Sequence, residues 1–328
     1  MATQIFILVS EGVAGSTLMS AIDLFTTCNR IAQQINNNKE ELFDVKLCAH
    51  QSQIEMNNGQ RIQCSTLLHE LSHKPILLIP APLIATAMEL DEYLSRNVPL
   101  LKWLGSQGKS SPMIATHCSG VALLAEAGLL EGKKVTTAWF LARELKKRYP
   151  GSNFQSSALL QKSSTLITGG ATSAINDVVL AMVERFAGAH YSRLLAKYML
   201  LDNQRSNQAP YAILSDISTE DDVILRATKW LRQNLAIDFC VDDIATEVGV
   251  SARTLIRRVR NGINESPQSL TQKLRIEKSK VLLETTGLPL IEIVARVGYS
   301  DESAFRRIFS RLVGQSPIEY RRRFKSEQ

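Results

Sequence analysis

The last third of the sequence repeats one short pattern after 49 residues. In each copy an apolar helical stretch is followed by a glycine, a hydroxyl residue and a second helical stretch. Alignment on Gly249 and Gly298 pairs residues of the same kind, namely Ile244/Ile293, Val248/Val297, Ser251/Ser300, Ile256/Phe305, Arg257/Arg306, Arg258/Arg307 and Val259/Ile308. Two helices joined by a tight turn form a helix-turn-helix unit. The repeat therefore predicts two such units.

The second helix of each unit is predicted to be amphipathic, with one apolar stripe at helical spacing. The residues expected to face inward are Ala252, Leu255, Ile256 and Val259 in the first copy and Ala304, Phe305, Ile308, Phe309 and Leu312 in the second. Gly249 and Gly298 supply the positive φ of the turns. Ser251 and Ser300 are predicted to cap the helices that follow.

The opposite faces of these helices carry the candidate DNA-contacting residues. They are Arg253, Thr254, Arg257, Arg258, Ser303, Arg306, Arg307, Ser310 and Arg311. Arginine hydrogen-bonds guanine edges through two donors and also binds phosphates. The alternative is that these faces are merely solvated. Two arginine-rich faces, each behind a turn, favour double-stranded DNA as the partner.

Basic residues are concentrated at the same end of the chain. From Ser251 onward 16 Lys and Arg stand against 8 Asp and Glu, whereas before it 22 stand against 24. A basic region confined to one end is typical of a chain that meets phosphate only there. Arg321, Arg322, Arg323 and Lys325 are either DNA-backbone contacts or a solvated tail.

A helix is predicted between the two copies, over 268–285. Roughly 18 helical residues span about 27 Å, which would let two recognition helices enter major grooves about 34 Å apart on one face of DNA. The region 241–324 resembles the AraC/XylS family. The matching parts are Ser266-Pro267, Leu274-Arg275, Val297-Gly298-Tyr299-Ser300, Ala304-Phe305, Phe309, Gly314, Ser316-Pro317 and Tyr320-Arg321.

The first 200 residues alternate between short apolar runs and helical stretches. Strands are expected at 5–9, 45–49, 76–79, 113–115 and 166–168, and helices at 20–35, 119–127, 171–186 and 191–200. This alternation predicts an open, parallel α/β sheet covered on both faces, followed by an all-α domain. The polar stretch that ends at Pro210 is predicted to be a linker. The predicted domains are 1–201 and 219–328, with a linker at 202–218.

The sequence also bears on compartment and bound groups. The start lacks a basic region, and no stretch is long enough to span a membrane. The five cysteines have neither paired nor metal-type spacing, which fits a reducing compartment. We therefore expect a cytoplasmic protein with no membrane association, no metal and no cofactor.

Cys118 stands apart from the other cysteines because it lies between a predicted strand and a predicted helix. This is the position of a nucleophile elbow, where a tight turn exposes the side chain while helix N-terminal amides face it. Those amides favour thiolate and predict a lowered pKa for Cys118. The alternative is a small buried apolar residue, the usual state of a free cysteine.

The surroundings of Cys118 resemble the ThiJ/PfpI domain of the class I glutamine amidotransferase-like superfamily. The resemblance rests on 118–132, on Val135-Thr-Thr-Ala-Trp139 and on Gly169-Gly-Ala-Thr-Ser-Ala174, and extends over about 5–201. It implies a flavodoxin-like sheet. More closely, the chain resembles GlxA-type regulators, which join this domain to an AraC-type reader. That resemblance implies amine- or other nitrogen-containing effectors.

The chain departs from hydrolytic relatives where a base or acid is expected. Ser119 stands where they have a histidine, Ala138 replaces a histidine common in relatives, and Thr17 aligns with an acid. His117 is the remaining possible base, although adjacent residues leaving a strand usually point to opposite sides. Nucleophilic catalysis needs a base within hydrogen-bond reach of the nucleophile. We therefore expect no catalytic residues.

The favoured interpretation is a transcription regulator whose first domain is a homodimeric sensor. Open α/β sheets bind ligands at strand ends, and the candidate effector-binding residues there are Gly12, His117, Cys118, Ala138, Trp139, Gly170 and Thr172. The alternative is a cysteine-dependent hydrolase or hydratase that uses Cys118 and is fused to a DNA-binding domain. A redox sensor based on oxidation of Cys118 also remains open.

Overall fold

The computed structural model describes residues 2–37, 39–71, 74–202, 205, 207–214 and 219–325. The chain divides into two compact units, Met1–Gln208 and Ala209–Gln328, called here the first and second domains. The predicted linker, 202–218, includes residues 203–204, 206 and 215–218, which lie outside the described residues. The predicted boundaries 1–201 and 219–328 stay predictions. Within the described ranges no helix is both long and apolar enough to cross a membrane.

The first domain is an α/β domain. Its strands are β1 (Thr3–Leu8), β2 (Phe43–Ala49), β3 (Gln53–Glu55), β4 (Arg61–Gln63), β5 (Thr66–Leu67), β6 (Ile76–Ile79), β7 (Met113–His117), β8 (Lys134–Val135), β9 (Asn153–Phe154), β10 (Leu160–Lys162) and β11 (Leu166–Gly169). Its α-helices are α1 (Gly15–Asn36), α2 (Ala87–Arg96), α3 (Val98–Gln107), α4 (Val121–Glu126), α5 (Ala142–Arg148), α6 (Ala174–Ala187) and α7 (Ala189–Tyr198).

The central sheet has the order β10-β11-β7-β6-β1-β2-β5. Its strands run parallel except β10, which pairs antiparallel with β11 at one edge. The five strands predicted from apolar runs are all in this sheet, which confirms the predicted fold class. Because neighbouring parallel strands end at the same edge, the loops after β1, β6, β7 and β11 lie side by side.

Both faces of the sheet are buried, as expected for a mostly parallel sheet. Along β1, Ile5 and Ile7 join one hydrophobic core with α1 and α6, whereas Phe6 and Leu8 join a second core with α2, α3 and α4. This alternation follows from the two-residue period of a strand. It explains why these strands read as continuous apolar runs.

The second domain is all-α. Its helices are α8 (Asp222–Asn234), α9 (Val241–Glu247), α10 (Ala252–Ile263), α11 (Pro267–Thr285), α12 (Leu290–Arg296), α13 (Glu302–Val313) and α14 (Pro317–Phe324). The long α11 confirms the helix predicted between the two copies. It contributes buried residues to two hydrophobic cores, one shared with α8–α10 and one shared with α12–α14.

Arg275 of α11 joins the two halves of the second domain. Its guanidinium lies 5.5 Å from the ring centre of Phe239 in the first half and 5.4 Å from that of Tyr299 in the second. Cation–π contacts of this length are attractive. One charged side chain thus packs between the two helix-turn-helix units.

Candidate functional site

Cys118 occupies a strained turn at the end of β7. Its φ is +51°, in the left-handed region, and a short 3-10 helix over Cys118–Gly120 leads into α4. A residue with a side chain rarely adopts such a φ. The predicted tight turn between strand and helix is confirmed, and such strain is commonly found at functional positions.

Cys118 is only 2% exposed, so the expectation that the turn exposes its side chain was wrong. Burial raises its pKa above the ordinary value, and hydrogen bonding with Thr172 and Ser119 opposes that rise only in part. The Sγ lies 3.7 Å from Thr172 Oγ1. The expectation of a lowered pKa was wrong, because the cost of desolvating a thiolate exceeds the benefit of the nearby helix amides.

His117 is fully buried, and burial lowers its pKa to about 4. Its Nε2 accepts a hydrogen bond from the Ala81 N–H at 3.1 Å, which leaves Nδ1 to donate to the Ala171 carbonyl at 3.3 Å. The neutral ring thus bridges the segments that follow β6 and β11. Both ring nitrogens are bonded to backbone groups rather than to the Cys118 thiol.

Hydroxyl and methyl side chains occupy the other positions compared with hydrolytic relatives. Thr17 Oγ1 contacts the carbonyls of Ala14 and Ala81 at 2.9 and 3.0 Å. Ser119 Oγ donates to Pro82 O at 2.7 Å. Ala138 is completely buried. The Thr17 and Ser119 hydroxyls can act only as hydrogen-bond donors toward these backbone carbonyl oxygens.

The structure brings several candidate effector residues together at the ends of β7 and β11. Cys118 faces Thr172, as described above. Trp139 and Gly170 both contact the side chain of Gln208: the Trp139 N–H donates to Gln208 Oε1 at 3.2 Å, and a Cβ added to Gly170 would lie 2.6 Å from Gln208 Nε2. Sequence reasoning missed Gln208, since one polar residue in a predicted linker carries no signal of burial.

Gly12 follows β1, has φ +77° and donates its N–H to Glu55 O of the β3–β4 hairpin at 2.9 Å. Two cavities of about 330 and 470 Å³ also lie elsewhere in the first domain. Neither is lined by a candidate effector residue. The effector-binding role of all seven residues stays a prediction.

The first helix-turn-helix unit consists of α9, a turn and α10. Gly249 has φ +69° in the turn, and Ser251 caps α10 by accepting a hydrogen bond from the Thr254 N–H. Arg253, Arg257 and Arg258 are exposed. The guanidinium of Arg258 also pairs with Asp221 at 3.2 Å. The predicted turn and cap are confirmed.

The second unit consists of α12, a turn and α13. Gly298 has φ +82°, and a Cβ there would overlap the carbonyl oxygen of Leu235, so only glycine fits. Asp301 caps α13 by accepting from the Ser303 N–H at 2.8 Å. The prediction that Ser300 is the cap was wrong, because the turn is one residue longer than in the first unit.

That extra residue changes the alignment of the two recognition helices. The buried residues Leu255, Val259 and Ile263 of α10 correspond to Phe305, Phe309 and Val313 of α13, a spacing of 50 rather than 49. Ile256 therefore corresponds to Arg306, and it is 44% exposed. The expectation that Ile256 faces inward was wrong, because one helical residue corresponds to a rotation of about 100°.

The exposed face of α13 carries Ser303, Arg307 and Arg311, while Ser310 is half-buried. Half-buried Arg306 forms an ion pair with Glu302 one turn earlier, at 2.6 Å. Arg311 donates to Gln272 Oε1 of α11 at 3.1 Å. The predicted DNA-contacting residues of both units thus lie on the outer sides of their helices, and their contact with DNA stays a prediction.

Comparison with known families matches both parts of the chain. Residues 4–185 match the model of the DJ-1/PfpI family, and residues 244–323 match a helix-turn-helix domain. The first match covers the sheet and the Cys118 elbow, and the second covers α10 to α13 completely. The predicted pairing of a ThiJ/PfpI-type domain with a helix-turn-helix domain is confirmed.

Curated relatives share this pairing at low identity. The chain is 23% identical over 266 residues to the HTH-type transcriptional regulator ArgR of Pseudomonas aeruginosa, covering 80% of the chain and 75% of the relative. It is 26% identical over 209 residues to the HTH-type transcriptional regulator GlxA of Rhizobium meliloti, covering 62% and 64%. Across five such matches the chain spans between 60% and 75% of the relative's length.

A solved structure supports the fold of the first domain. A ThiJ/PfpI family protein from Pseudomonas syringae superposes with a TM-score of 0.50 at 20% identity, covering 62% of the chain and 76% of that protein. At this identity the similarity concerns the fold alone.

Proposed function

This chain belongs to the DJ-1/PfpI family and carries a helix-turn-helix domain, and from this we propose that it is a sequence-specific DNA-binding transcription regulator whose first domain binds a small-molecule effector. The observation that carries the proposal is the pair of amphipathic helices α10 and α13, each with a buried apolar stripe and exposed arginines. Arginines on a helix behind a tight turn suit the major groove. The names of the ArgR and GlxA relatives agree with this function.

The contacts around Cys118 favour a sensor over a hydrolase. A nucleophilic thiol needs a base that can take its proton. Here the pKa of Cys118 is raised by burial, and His117 contacts two backbone groups. We therefore propose that the elbow helps to bind a ligand at the strand ends rather than to catalyse a reaction. The effector we expect is an amine- or other nitrogen-containing metabolite.

We also propose that the protein forms a homodimer and that α6 and α7 form the dimer interface. Tyr198, the last residue of α7, and the next two residues, Met199 and Leu200, are exposed, with Leu200 at 92%. Exposed apolar groups are typical of protein interfaces. Pairing two DNA-binding modules raises their effective concentration on repeated sites. Light scattering at micromolar concentration should give a homodimer, and a monomer with and without DNA would contradict this.

The main test is selection of binding sites from random duplexes with the full chain, followed by affinity measurements. Arg257→Ala and Arg306→Ala should each weaken binding to the selected site more than to scrambled DNA. Arg226→Ala is the matched control, since Arg226 pairs with Asp222 on the separate helix α8. Equal losses of affinity for both DNAs would indicate that the two arginines contact phosphates rather than bases. Failure to bind DNA at low salt would refute the regulator.

The enzyme alternative is tested separately. The purified chain and its Cys118→Ser variant are incubated with amide, aldehyde and isonitrile panels. We expect no turnover by either protein. A substrate consumed by the parent protein and spared by the variant would establish a working cysteine enzyme instead.

A further inference from the structure

Gln208 is the last residue of the first domain, and its side chain is buried, with the residue 2% exposed. Its Nε2 donates to Thr137 O at 2.8 Å and to Ala158 O at 3.2 Å, and lies 3.3 Å from Thr136 Oγ1. Its Oε1 accepts from the Trp139 N–H at 3.2 Å. A glutamine that follows the last helix of a domain thus has both ends of its carboxamide bonded inside that domain.

The hydrogen-bonding groups around Gln208 determine which chemical group fits at this position. Two carbonyl oxygens face its nitrogen and one N–H faces its oxygen, which complements a primary amide. A carboxylate would place an oxygen against the carbonyls of Thr137 and Ala158. An ammonium would leave the Trp139 N–H without an acceptor. Either mismatch in a buried site costs free energy.

Gly170 makes room for this carboxamide. A side chain there would begin 2.6 Å from Gln208 Nε2 and 2.7 Å from its Cδ. The site is also linked to the elbow, because Thr137 Oγ1 donates to Cys118 O at 2.8 Å. Two of the predicted effector residues, Trp139 and Gly170, therefore line a polar site that a glutamine of the same chain fills.

The same residue fixes the point where the chain leaves the first domain. The Gln208 N–H donates to Ser157 O at 2.9 Å, and Asn207 forms an antiparallel bridge with Ala158. The next residue, Ala209, begins a 3-10 helix of the second domain. In that domain the Ala212 carbonyl accepts from buried Lys280 Nζ at 2.7 Å. Withdrawal of the Gln208 side chain would therefore release the chain immediately before an anchored segment of the DNA-binding domain.

We propose that Gln208 occupies a carboxamide-binding subsite, and that a small primary carboxamide regulates the protein by displacing it. The proposal rests on the proposed function as an effector-responsive regulator and names the chemical class of the effector. The ligand would satisfy the Trp139 N–H and the Thr137 and Ala158 carbonyls in place of Gln208. Residues 207–208 would then detach from 157–158.

Chemical rescue of the full-length Gln208→Gly variant tests the subsite. Propionamide reproduces the side chain that this substitution removes, from Cβ to the carboxamide. The variant should melt at a lower temperature than the parent, and propionamide should restore the melting temperature in a dose-dependent way, since a ligand of the folded state stabilises it. Propionate should not. Gln155→Gly, which removes a carboxamide bonded to Asn153, is the control that should show no rescue.

In the parent protein propionamide must compete with the tethered side chain of Gln208. Short flexible links give effective concentrations in the millimolar range, so we expect displacement to require propionamide at a concentration on the order of tens of millimolar. Displacement should accelerate trypsin cleavage after Arg205 and change the affinity for a selected DNA site several-fold. Gly170→Ala should do the same without ligand, because its methyl group overlaps the carboxamide. A parent-like cleavage rate in Gly170→Ala would overturn the displacement.

The two proposals fail in different ways. Loss of DNA binding without any amide would refute the regulator, whatever the rescue result. Retained DNA binding with no response of melting or cleavage to propionamide would overturn the subsite and leave Gln208 as a structural anchor. Equal rescue by propionate would overturn the assignment to carboxamides.

Discussion

The two helix-turn-helix units of the second domain have the same helices and turns but differ by one residue in the turn. The first passes from Gly249 to the cap of α10 in two residues, and the second passes from Gly298 to the cap of α13 in three. Both caps accept a hydrogen bond from an amide of the first turn, although one is Ser251 and the other Asp301. The chemistry of the cap is retained while its position shifts.

The positions that stay equivalent are those that fill the core. Leu255 and Phe305, like Val259 and Phe309, are completely buried at corresponding points of α10 and α13. The buried core of the second unit includes three aromatic residues, with Phe309 packed against Tyr320, whereas the fully buried residues of the first core are aliphatic. The packing of the buried side chains therefore constrains the rotation of each helix more tightly than the length of the preceding turn does.

The outer faces of the two helices differ in chemistry. Arg257 and Arg307 correspond, but Arg253 corresponds to Ser303 and Ile256 to Arg306. An exposed isoleucine suits the methyl group of thymine, whereas arginine suits guanine. We therefore expect the two units to read different bases, so that an operator site would be asymmetric within one protomer.

The largest expected effects come from the two cores. Phe305→Ala should destabilise its unit by about 3–5 kcal/mol and Leu255→Ala by about 2–5 kcal/mol, as is typical when buried side chains are truncated. Because the cores are separate, hydrogen exchange should accelerate mainly in α12–α14 for the first variant and in α8–α10 for the second. Equal acceleration in both halves would show that they unfold as one unit.

Base reading should give the next largest effect. Arg306→Ala should cost about 1–3 kcal/mol on a selected site if Arg306 reads a base, and the loss of any phosphate contact that Arg306 makes would also reduce the salt dependence. Ile256→Ala should cost less and leave the salt dependence unchanged, since no charge is lost. Fluorescence anisotropy over a salt series measures both. A change of salt slope in Ile256→Ala would contradict the apolar contact.

Much of the fold could be predicted from the sequence, because buried parallel strands are apolar throughout and long helices have a clear period. The short strands β3, β4, β5, β8, β9 and β10 could not, since two or three residues carry no period. The offset of Phe305 was missed because Ser300 and Asp301 are both good caps. Around Cys118, the elbow was predictable from local order, whereas the raised pKa and the burial of Gln208 depend on distant segments.

Helix capping should give a smaller effect that separates the two alignments. Asp301→Ala should destabilise α13 by about 0.5–2 kcal/mol, because it removes the acceptor for the Ser303 N–H. Ser300→Ala should change stability by no more than about 0.5 kcal/mol, as for an ordinary surface substitution. Ser251→Ala should resemble Asp301→Ala. Hydrogen exchange at the start of α10 and α13 measures all three, and a large effect at Ser300 would restore the 49-residue spacing.

An ion pair should contribute less to stability than a helix cap, and Glu302, which corresponds to Ala252 in the first unit, tests this. Glu302→Ala removes the ion pair with Arg306 and a carboxylate from the first turn of α13, which together should cost less than about 1 kcal/mol. DNA affinity should nevertheless rise, because the substitution frees a guanidinium and removes a negative charge near phosphate. Asp222→Ala, which breaks the matching pair with Arg226 on α8, should leave the affinity unchanged. Equal gains in both variants would mean that net charge alone, and not the release of Arg306, strengthens binding.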